Sequence, residues 1–310
     1  MEIILAKPRG FCAGVTRAIE VVEKALVKFG APVYVRHEIV HNKFVVESLK
    51  KKGAIFVNQV DEIPVGAITI FSAHGVSDQV EDDALKRGLD IIDATCPLVS
   101  KVHREAKKYA EDDFEIILIG HRGHPEVEGT SGRVKKPVIL VTNIEDAQTI
   151  EIKNPDKIAF VSQTTLSVDD TMKIVNVLEQ RFPSLQKGLA TKDICYATQN
   201  RQDAVRSLCK MVDILVVIGS QNSSNSNRLR DLGEESGVPS YLINGEADLD
   251  KNWFKNVERV GLTAGASAPE ILVQEVVTKI KEFNGGALKV SDMDGIEENT
   301  IFALPKKVRK

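Results

Sequence analysis

The chain has 310 residues, 43% of them hydrophobic and 27% charged, a composition typical of globular protein and a length that suits two or three domains. Its 44 acidic and 41 basic residues leave a net charge of −3, which supplies no basic field for a nucleic acid or an anionic membrane. No apolar run approaches the roughly 20 residues that span a bilayer, and charges interrupt the amino terminus. We therefore expect a cytoplasmic protein with small-molecule partners.

A threefold repeat runs through the chain, and each copy contains a strand, a cysteine and then a helix. In chain order these are residues 2–6, Cys12 and 13–29; residues 89–93, Cys96 and a helix through 102–109; and residues 193–194, Cys195 and a helix within 200–211. Gly30 stops the first helix, and Pro97 suits the first position of the second. Cys209 has no counterpart in the other copies and is assigned to the core.

Each copy continues with two further apolar strands that end at polar residues. The first strands end at His41, at His124 and at the run Ser223, Ser224 and Asn225; the second end at His74, Thr165 and Ser267. Alternating strands and helices predict parallel sheets, whose ligands bind beyond the carboxyl ends of the strands. We predict an α/β fold of three similar units with mostly parallel sheets, arranged as a pseudo-threefold trefoil around a central cluster cavity.

The predicted units, called repeats below, comprise residues 1–87, 88–187 and 188–284, followed by a carboxyl-terminal tail at 285–310. The role of the tail stays open. Its basic end, PKKVRK, is more typical of a solvated terminus than of a targeting signal.

The three repeated cysteines have a context that favours metal binding. A cysteine just before a helix tends to be a thiolate, because the helix amino terminus stabilises negative charge, and thiolates bind soft metals. An iron–sulfur cube usually takes four cysteines, so three would leave one iron open for catalysis. The alternative is that Cys12, Cys96 and Cys195 are unrelated buried thiols, which their shared context disfavours.

The polar residues suit a phosphate or diphosphate, which accepts hydrogen bonds from side chains and from free backbone N–H groups at helix starts. Helix capping is the alternative for Ser224, Asn225 and Thr165, and it carries more weight for Ser267. Glu126, just past Pro125, is unremarkable in a first helical turn but could deliver protons if burial raises its pKa. His37, His103 and His121 have no counterparts and are interpreted as structural or solvent-facing, although His37 and His121 could still support residues that contact a ligand.

Eight ordered motifs carry a family resemblance: PRGFCAGVTRAI, HEIVHN, SAHGVS, DATCPLV, GHRGHPEVEGT, SQTTLSVDD, GSQNSSNSNRL and TAGASAPE. They resemble the 4-hydroxy-3-methylbut-2-enyl diphosphate reductases of the LytB/IspH family, from the amino terminus to about Phe283. The resemblance implies reductive removal of the substrate's allylic hydroxyl by two electrons and two protons. The products would be isopentenyl and dimethylallyl diphosphate, in the last step of the methylerythritol phosphate route.

The resemblance also implies roles for individual residues. Cys12, Cys96 and Cys195 would hold one 4Fe-4S cluster, which becomes 3Fe-4S when the open iron is lost; Glu126 would be the proton source, acting directly or through Thr165. The substrate pocket would be lined by His41, His74, His124, Thr165, Ser223, Ser224, Asn225 and Ser267. A one-electron donor such as flavodoxin or ferredoxin would be the protein partner.

Three other interpretations stay open on sequence alone. A quinolinate-synthase-like dehydrating enzyme also holds a cluster on three cysteines but needs no electrons. A zinc hydrolase could use three cysteines and a histidine. An iron–sulfur sensor or electron carrier would need no diphosphate pocket.

Overall fold

The structure is a computed structural model that describes residues 1–186, 193–286 and 288–309. Its strands are β1 (Glu2–Leu5), β2 (Val33–Arg36), β3 (Ala54–Val57), β4 (Ile68–Phe71), β5 (Asp90–Asp93), β6 (Glu115–Ile119), β7 (Ile139–Val141), β8 (Ile158–Ser162), β9 (Ile214–Ile218), β10 (Ser240–Ile243), β11 (Arg259–Ala264) and β12 (Lys289–Asp292). Its α-helices are α1 (Ala13–Phe29), α2 (Lys43–Lys51), α3 (Asp78–Lys86), α4 (Pro97–Glu111), α5 (Pro125–Ser131), α6 (Ile144–Thr149), α7 (Val168–Arg181), α8 (Tyr196–Leu208), α9 (Ser224–Glu235) and α10 (Glu270–Phe283). The predicted boundary at 187 and 188 lies outside the described residues.

These strands form three sheets, and every pair of neighbouring strands runs parallel. The orders are β10-β9-β11-β1-β12, β3-β2-β4-β5 and β7-β6-β8. The predicted parallel sheets are therefore confirmed. Strands β8 and β9 are buried along their whole length, which explains why their sequences are apolar without alternation.

The helices that follow the cysteines form as their apolar spacing predicts. Helix α1 has the predicted bounds, and Pro97 is the first residue of α4, where the absent N–H is not needed. Helix α8 begins directly after Cys195, four residues before the predicted helical pattern at residue 200. Cys209 is buried in an apolar cluster with Leu208 and Val212, as predicted.

The sheets group the cysteine strands in a way that the repeat did not reveal. Strand β1, which leads to Cys12, lies between β11 and β12, and β5, which leads to Cys96, is paired with β4. Strand β1 of the first repeat therefore joins strands of the third repeat and the tail, and β5 of the second repeat joins strands of the first repeat. The repeat boundaries at residues 87, 187 and 284 stay a prediction.

By its internal contacts the chain divides into two compact units. Compact unit 1 comprises Met1–Thr16, Val40–Ser48 and Tyr196–Ile301, and compact unit 2 comprises Arg17–Ile39, Leu49–Cys195 and Phe302–Lys310. The five-stranded sheet belongs to unit 1, where α10 packs its apolar face on β11. The four-stranded and three-stranded sheets belong to unit 2. None of the helices in the described ranges is both long and apolar enough to cross a membrane.

The parallel sheets determine where the predicted site residues lie. Cys12, Ser223 and Ser267 follow β1, β9 and β11, which are neighbours in the sheet of unit 1. In unit 2, His74 follows β4, and Thr165 follows β8. All of these residues lie beyond the carboxyl ends of parallel strands, as expected for ligand-binding groups.

Candidate active site

The three repeated cysteines have equivalent backbone environments. Each directly precedes a helix. Each also donates its backbone N–H to a backbone carbonyl, and the residue after that carbonyl is a predicted substrate-binding residue. The bonds run from Cys12 to Ala266, before Ser267; from Cys96 to Ala73, before His74; and from Cys195 to Thr164, before Thr165, at 3.2, 2.9 and 3.0 Å. The equivalence of His74, Thr165 and Ser267 that the sequence predicted is therefore visible in the hydrogen bonds.

The thiols themselves suit metal binding. None of the four cysteines forms a disulfide, and Cys12, Cys96 and Cys195 are half-buried, whereas Cys209 is fully buried. Among the described residues, no three Cys, His, Asp or Glu side chains are grouped closely enough to hold one metal ion. A cube spaces its ligands more widely than a single ion does, so the cluster assignment remains a prediction.

In compact unit 2, two histidines lie against each other. The rings of His74 and His124 meet edge to face, with their centroids 5.9 Å apart. His124 caps α5, and its Nδ1 accepts the backbone N–H of Glu126 at 3.1 Å. A nitrogen that accepts cannot carry a proton, so this bond places the proton of neutral His124 on Nε2. His74 Nδ1 is 3.3 Å from the hydroxyl of Ser72.

Glu126 is buried, with 5% of its surface exposed, and Thr164 binds its carboxylate. Thr164 donates its backbone N–H to Oε2 at 3.0 Å and its hydroxyl to Oε1 and Oε2 at 3.1 and 3.0 Å. Such bonds fix the carboxyl group in one orientation at the start of α5. The sequence analysis did not single out Thr164, because one threonine in the run Thr164-Thr165 looks like the other.

Thr165 is oriented by Gln163, another residue that the sequence analysis passed over. The Gln163 amide donates to the Thr165 hydroxyl oxygen at 2.8 Å and accepts the backbone N–H of His121 at 3.0 Å. Because the hydroxyl oxygen accepts from Gln163, its own O–H is directed elsewhere.

In compact unit 1, the start of α9 packs tightly against two strand ends. A Cβ at Gly219 or Gly265 would lie only 2.2 or 2.0 Å from the hydroxyl oxygen of Ser226, so both positions need glycine. Gly219 and Gly265 follow β9 and β11, and their lack of side chains lets the helix start approach the strands. Ser223 caps the helix by accepting the Ser226 N–H at 3.3 Å.

Asn225 stands out at this helix start. It is 3% exposed, and neither its amide nitrogen nor its amide oxygen has a hydrogen-bond partner among the residues that the structure describes. Buried polar groups are almost always paired, so an orphaned amide of this kind marks a place where a ligand or a bound water can form hydrogen bonds. The capping alternative is excluded for Ser224, Asn225, Thr165 and Ser267, because the caps of α9, α7 and α10 are Ser223, Ser167 and Pro269.

The remaining residues of unit 1 lie beside these. Ser267 donates its hydroxyl to the backbone carbonyl of His41 at 2.9 Å, and the His41 ring lies 3.5 Å from the amide of Asn222. Unit 1 therefore brings Cys12, His41, Asn225 and Ser267 near one another. In unit 2, contacts run from Cys96 through the two histidines and Glu126 to Cys195.

His103 packs closely against Gly75, next to His74, in unit 2. It is 6% exposed, and a Cβ at Gly75, next to His74, would lie 2.5 Å from its Cε1. Burial, followed by the positive charge of Arg133, lowers the pKa of His103 to about 4. This ring is therefore neutral near pH 7.

Known proteins resemble this chain along its whole length. A reductase named for 4-hydroxy-3-methylbut-2-enyl diphosphate, from Azoarcus sp. strain BH72, is 54% identical over 309 residues, covering 100% of this chain and 98% of the relative. A solved E-1-hydroxy-2-methyl-but-2-enyl-4-diphosphate reductase from Plasmodium falciparum is 41% identical, with a TM-score of 0.93 over 99% of this chain and 96% of that one. This match confirms the α/β fold class.

A second solved structure, described as the (E)-4-hydroxy-3-methyl-but-2-enyl diphosphate reductase that terminates the non-mevalonate pathway, is 33% identical with a TM-score of 0.65. It covers 91% of this chain and 100% of its own length. The family model described as LytB protein matches residues 3–281. With its sequence matched over nearly its full length, the chain belongs to the LytB protein family.

Proposed function

We propose that this chain reduces (E)-4-hydroxy-3-methylbut-2-enyl diphosphate to isopentenyl and dimethylallyl diphosphate, as the terminal enzyme of the non-mevalonate pathway. The observation that carries the proposal is the buried, unpaired amide of Asn225 at the start of α9. The oxygens of a diphosphate can accept hydrogen bonds from the amide nitrogen of Asn225. Each turnover consumes two electrons and two protons, breaks the allylic C–O bond, forms one C–H bond and releases the hydroxyl as water.

The cofactor of the proposal is one 4Fe-4S cluster on Cys12, Cys96 and Cys195. The donor set fits, because three cysteines that form no disulfide occupy equivalent positions before three helices, where the helix dipole favours thiolates. When bound, the cluster supplies single electrons and an open Lewis-acid iron. Four cysteines without a disulfide also suit a reducing compartment such as the cytoplasm.

The diphosphate-binding residues are His41, His74, Ser223, Ser224, Asn225 and Ser267. Most of these are neutral hydrogen-bond donors, and the first turn of α9 adds backbone N–H groups with the positive end of a helix dipole. A site built this way recognises phosphoryl oxygens by hydrogen-bond geometry. We expect binding to depend more on Asn225 than on Ser223, whose hydroxyl already serves as a helix cap.

The proton donor of the proposal is Glu126. Thr164 holds its carboxyl group in place, and Thr165, next in the chain, can pass a proton onward through its directed O–H. The Nε2–H of His124 is a further donor toward the substrate. Together these groups can bind the reacting hydroxyl and protonate it as it leaves.

The test is an anaerobic assay of the chain after cluster reconstitution, with the diphosphate substrate and a chemically reduced one-electron donor. We expect both five-carbon diphosphates to form, and only when the reductant is present. Conversion without reductant would indicate a dehydrating enzyme, and activity with zinc alone would indicate a hydrolase. If the substrate neither binds nor reacts with a chain that holds its cluster, the chain is a sensor or carrier. A reduced flavodoxin or ferredoxin can then replace the chemical donor to test the protein partner.

A further inference from the structure

Three basic residues occupy matching places in the helices that follow the cysteines. Arg17 lies in α1, Lys101 in α4 and Arg201 in α8, five, five and six residues after the preceding cysteine. Each of them binds the segment that leads to the cysteine of another repeat.

Arg17 binds the segment before Cys96, and the contact lies within compact unit 2. Its guanidinium donates to the carbonyls of Ala94 and Thr95 at 3.0 and 2.9 Å. Its Nε donates to the carbonyl of Ala303, in the tail, at 2.9 Å. Burial lowers the pKa of Arg17, and the negative charges of Asp93 and Cys96 oppose that effect.

Lys101 binds the segment before Cys195, also within unit 2. Its ammonium group is 3.1 Å from a carboxylate oxygen of Asp193, two residues before the cysteine. The Asp193 side chain is fully buried, and its other oxygen accepts the backbone N–H of Ser162 at 3.1 Å. The segment is thus held through a side chain rather than through backbone carbonyls.

Arg201 binds the segment before Cys12, within compact unit 1. It is fully buried and donates to the carbonyl of Gly10 at 3.1 and 2.7 Å, and to that of Phe11 at 3.4 Å. Glu298, from the tail, accepts from both terminal nitrogens of the guanidinium at 3.1 Å. A buried guanidinium needs such a partner, and its planar fork suits both the carbonyl and the carboxylate.

We propose that Arg17, Lys101 and Arg201 are positioning residues that hold the three cysteine segments in the conformation that accepts the cluster, and that Glu298 and Ala303 of the tail complete this arrangement. The inference rests on the cluster of the proposed function. Hydrogen bonds to the residues just before a ligand restrict the direction of its side chain.

The matched control is Arg181. This arginine also donates to two backbone carbonyls, those of Ala147 and Ile150 at 2.5 and 2.8 Å, but the segment that it holds leads to no cysteine. A variant that loses only structural stabilisation should therefore behave like Arg181→Met. The conservative variant is Lys101→Arg, which keeps a cation for Asp193.

The experiment compares Arg17→Met, Lys101→Met and Glu298→Gln with these controls after anaerobic reconstitution. It measures iron and sulfide per chain, the rate of cluster loss to an iron chelator, the electron paramagnetic resonance spectrum of the reduced cluster, and thermal unfolding of the iron-free chain. We expect the first three variants to lose the cluster about 10 to 100 times faster than the unsubstituted chain, with an altered spectrum. Arg181→Met and Lys101→Arg should match the unsubstituted chain.

The proposal is overturned if the three variants keep the original spectrum and rate of loss, or if Arg181→Met loses its cluster as fast as they do. Glu298→Gln keeps the shape of its side chain and so serves where a methionine variant does not fold. Failure of the proposed function looks different. In that case the unsubstituted chain would hold its cluster yet leave the diphosphate unreduced, while the variants would still lose the cluster faster.

Discussion

Replacing Asn225 by leucine should make the iron-free, substrate-free chain more stable while weakening substrate binding. Asn225 is 3% exposed, and both polar atoms of its amide lack partners. An unsatisfied buried polar group is destabilising by about 1–3 kcal/mol, and leucine has the same branched side-chain shape without polar atoms. We therefore expect the free energy of unfolding to rise by about 1–2 kcal/mol. The unfolding temperature should rise by about 2–4 °C.

Substrate binding should change in the opposite direction. A hydrogen bond to a charged group contributes about 1.5–3 kcal/mol, so loss of the amide should raise the dissociation constant about 10-fold to 150-fold. Titration calorimetry with the diphosphate substrate under anaerobic conditions measures this constant. Thermal unfolding of the iron-free chain measures the stability.

Asn227 provides the matched control in the same helix. Its amide donates to the carbonyls of Gln221 and Ser223 at 2.6 and 2.9 Å, so Asn227→Leu should lower the stability. Opposite signs for the two asparagines would show that Asn225 is kept for a ligand. The reasoning is refuted if Asn225→Leu destabilises the chain as Asn227→Leu does and leaves the dissociation constant unchanged.

Three further substitutions test other parts of the site. Glu126→Gln should lower turnover by a factor of about 10²–10⁴ while the cluster and the substrate affinity persist. The control is Glu128→Gln, at an exposed position, which should leave turnover unchanged. Equal turnover in both variants would remove Glu126 from the mechanism. Cys96→Ser should yield a chain that reconstitutes without a stable cluster and without activity, and full iron content would contradict the ligand assignment. The free energy of unfolding should fall less at low pH in His103→Gln than in the unsubstituted chain. Because the pKa of His103 is lowered from 6.5 to about 4, the unfolded chain binds more protons in that range, so stability falls as the pH drops. Urea unfolding of both iron-free chains between pH 7 and 4 measures the difference, and parallel curves would contradict it.

The sequence predicted the strands and helices better than it predicted which strands pair. The apolar runs of β8 and β9 predict buried strands, and the apolar spacing up to Gly30 predicts α1. The position of β1 between β11 and β12 could not be read in this way, because strand pairing depends on contacts between residues far apart in the chain. The tail strand β12 was missed for the same reason.

For the candidate site, the sequence indicated the residue types, and only the structure gives the contacts between them. Asn225 was singled out because it repeats the place of the histidines, but only the structure shows that Ser223 is the cap and that the Asn225 amide has no partner. Thr164 and Arg201 were missed. A threonine that fixes a carboxylate, or an arginine that holds a distant loop, leaves no pattern in a single sequence.

The hydrogen bonds of the cysteine amides connect the two halves of the proposed chemistry. Each predicted ligand is tied through its backbone to the residue before a predicted substrate group, so a shift of either displaces the other. Cys195, for example, donates to the carbonyl of Thr164, whose amide and hydroxyl hold Glu126. The loop that orients the proton donor is thus the loop that receives a ligand. Loss of Thr164 contacts should therefore disturb cluster and protonation together, whereas Glu126→Gln should affect protonation alone.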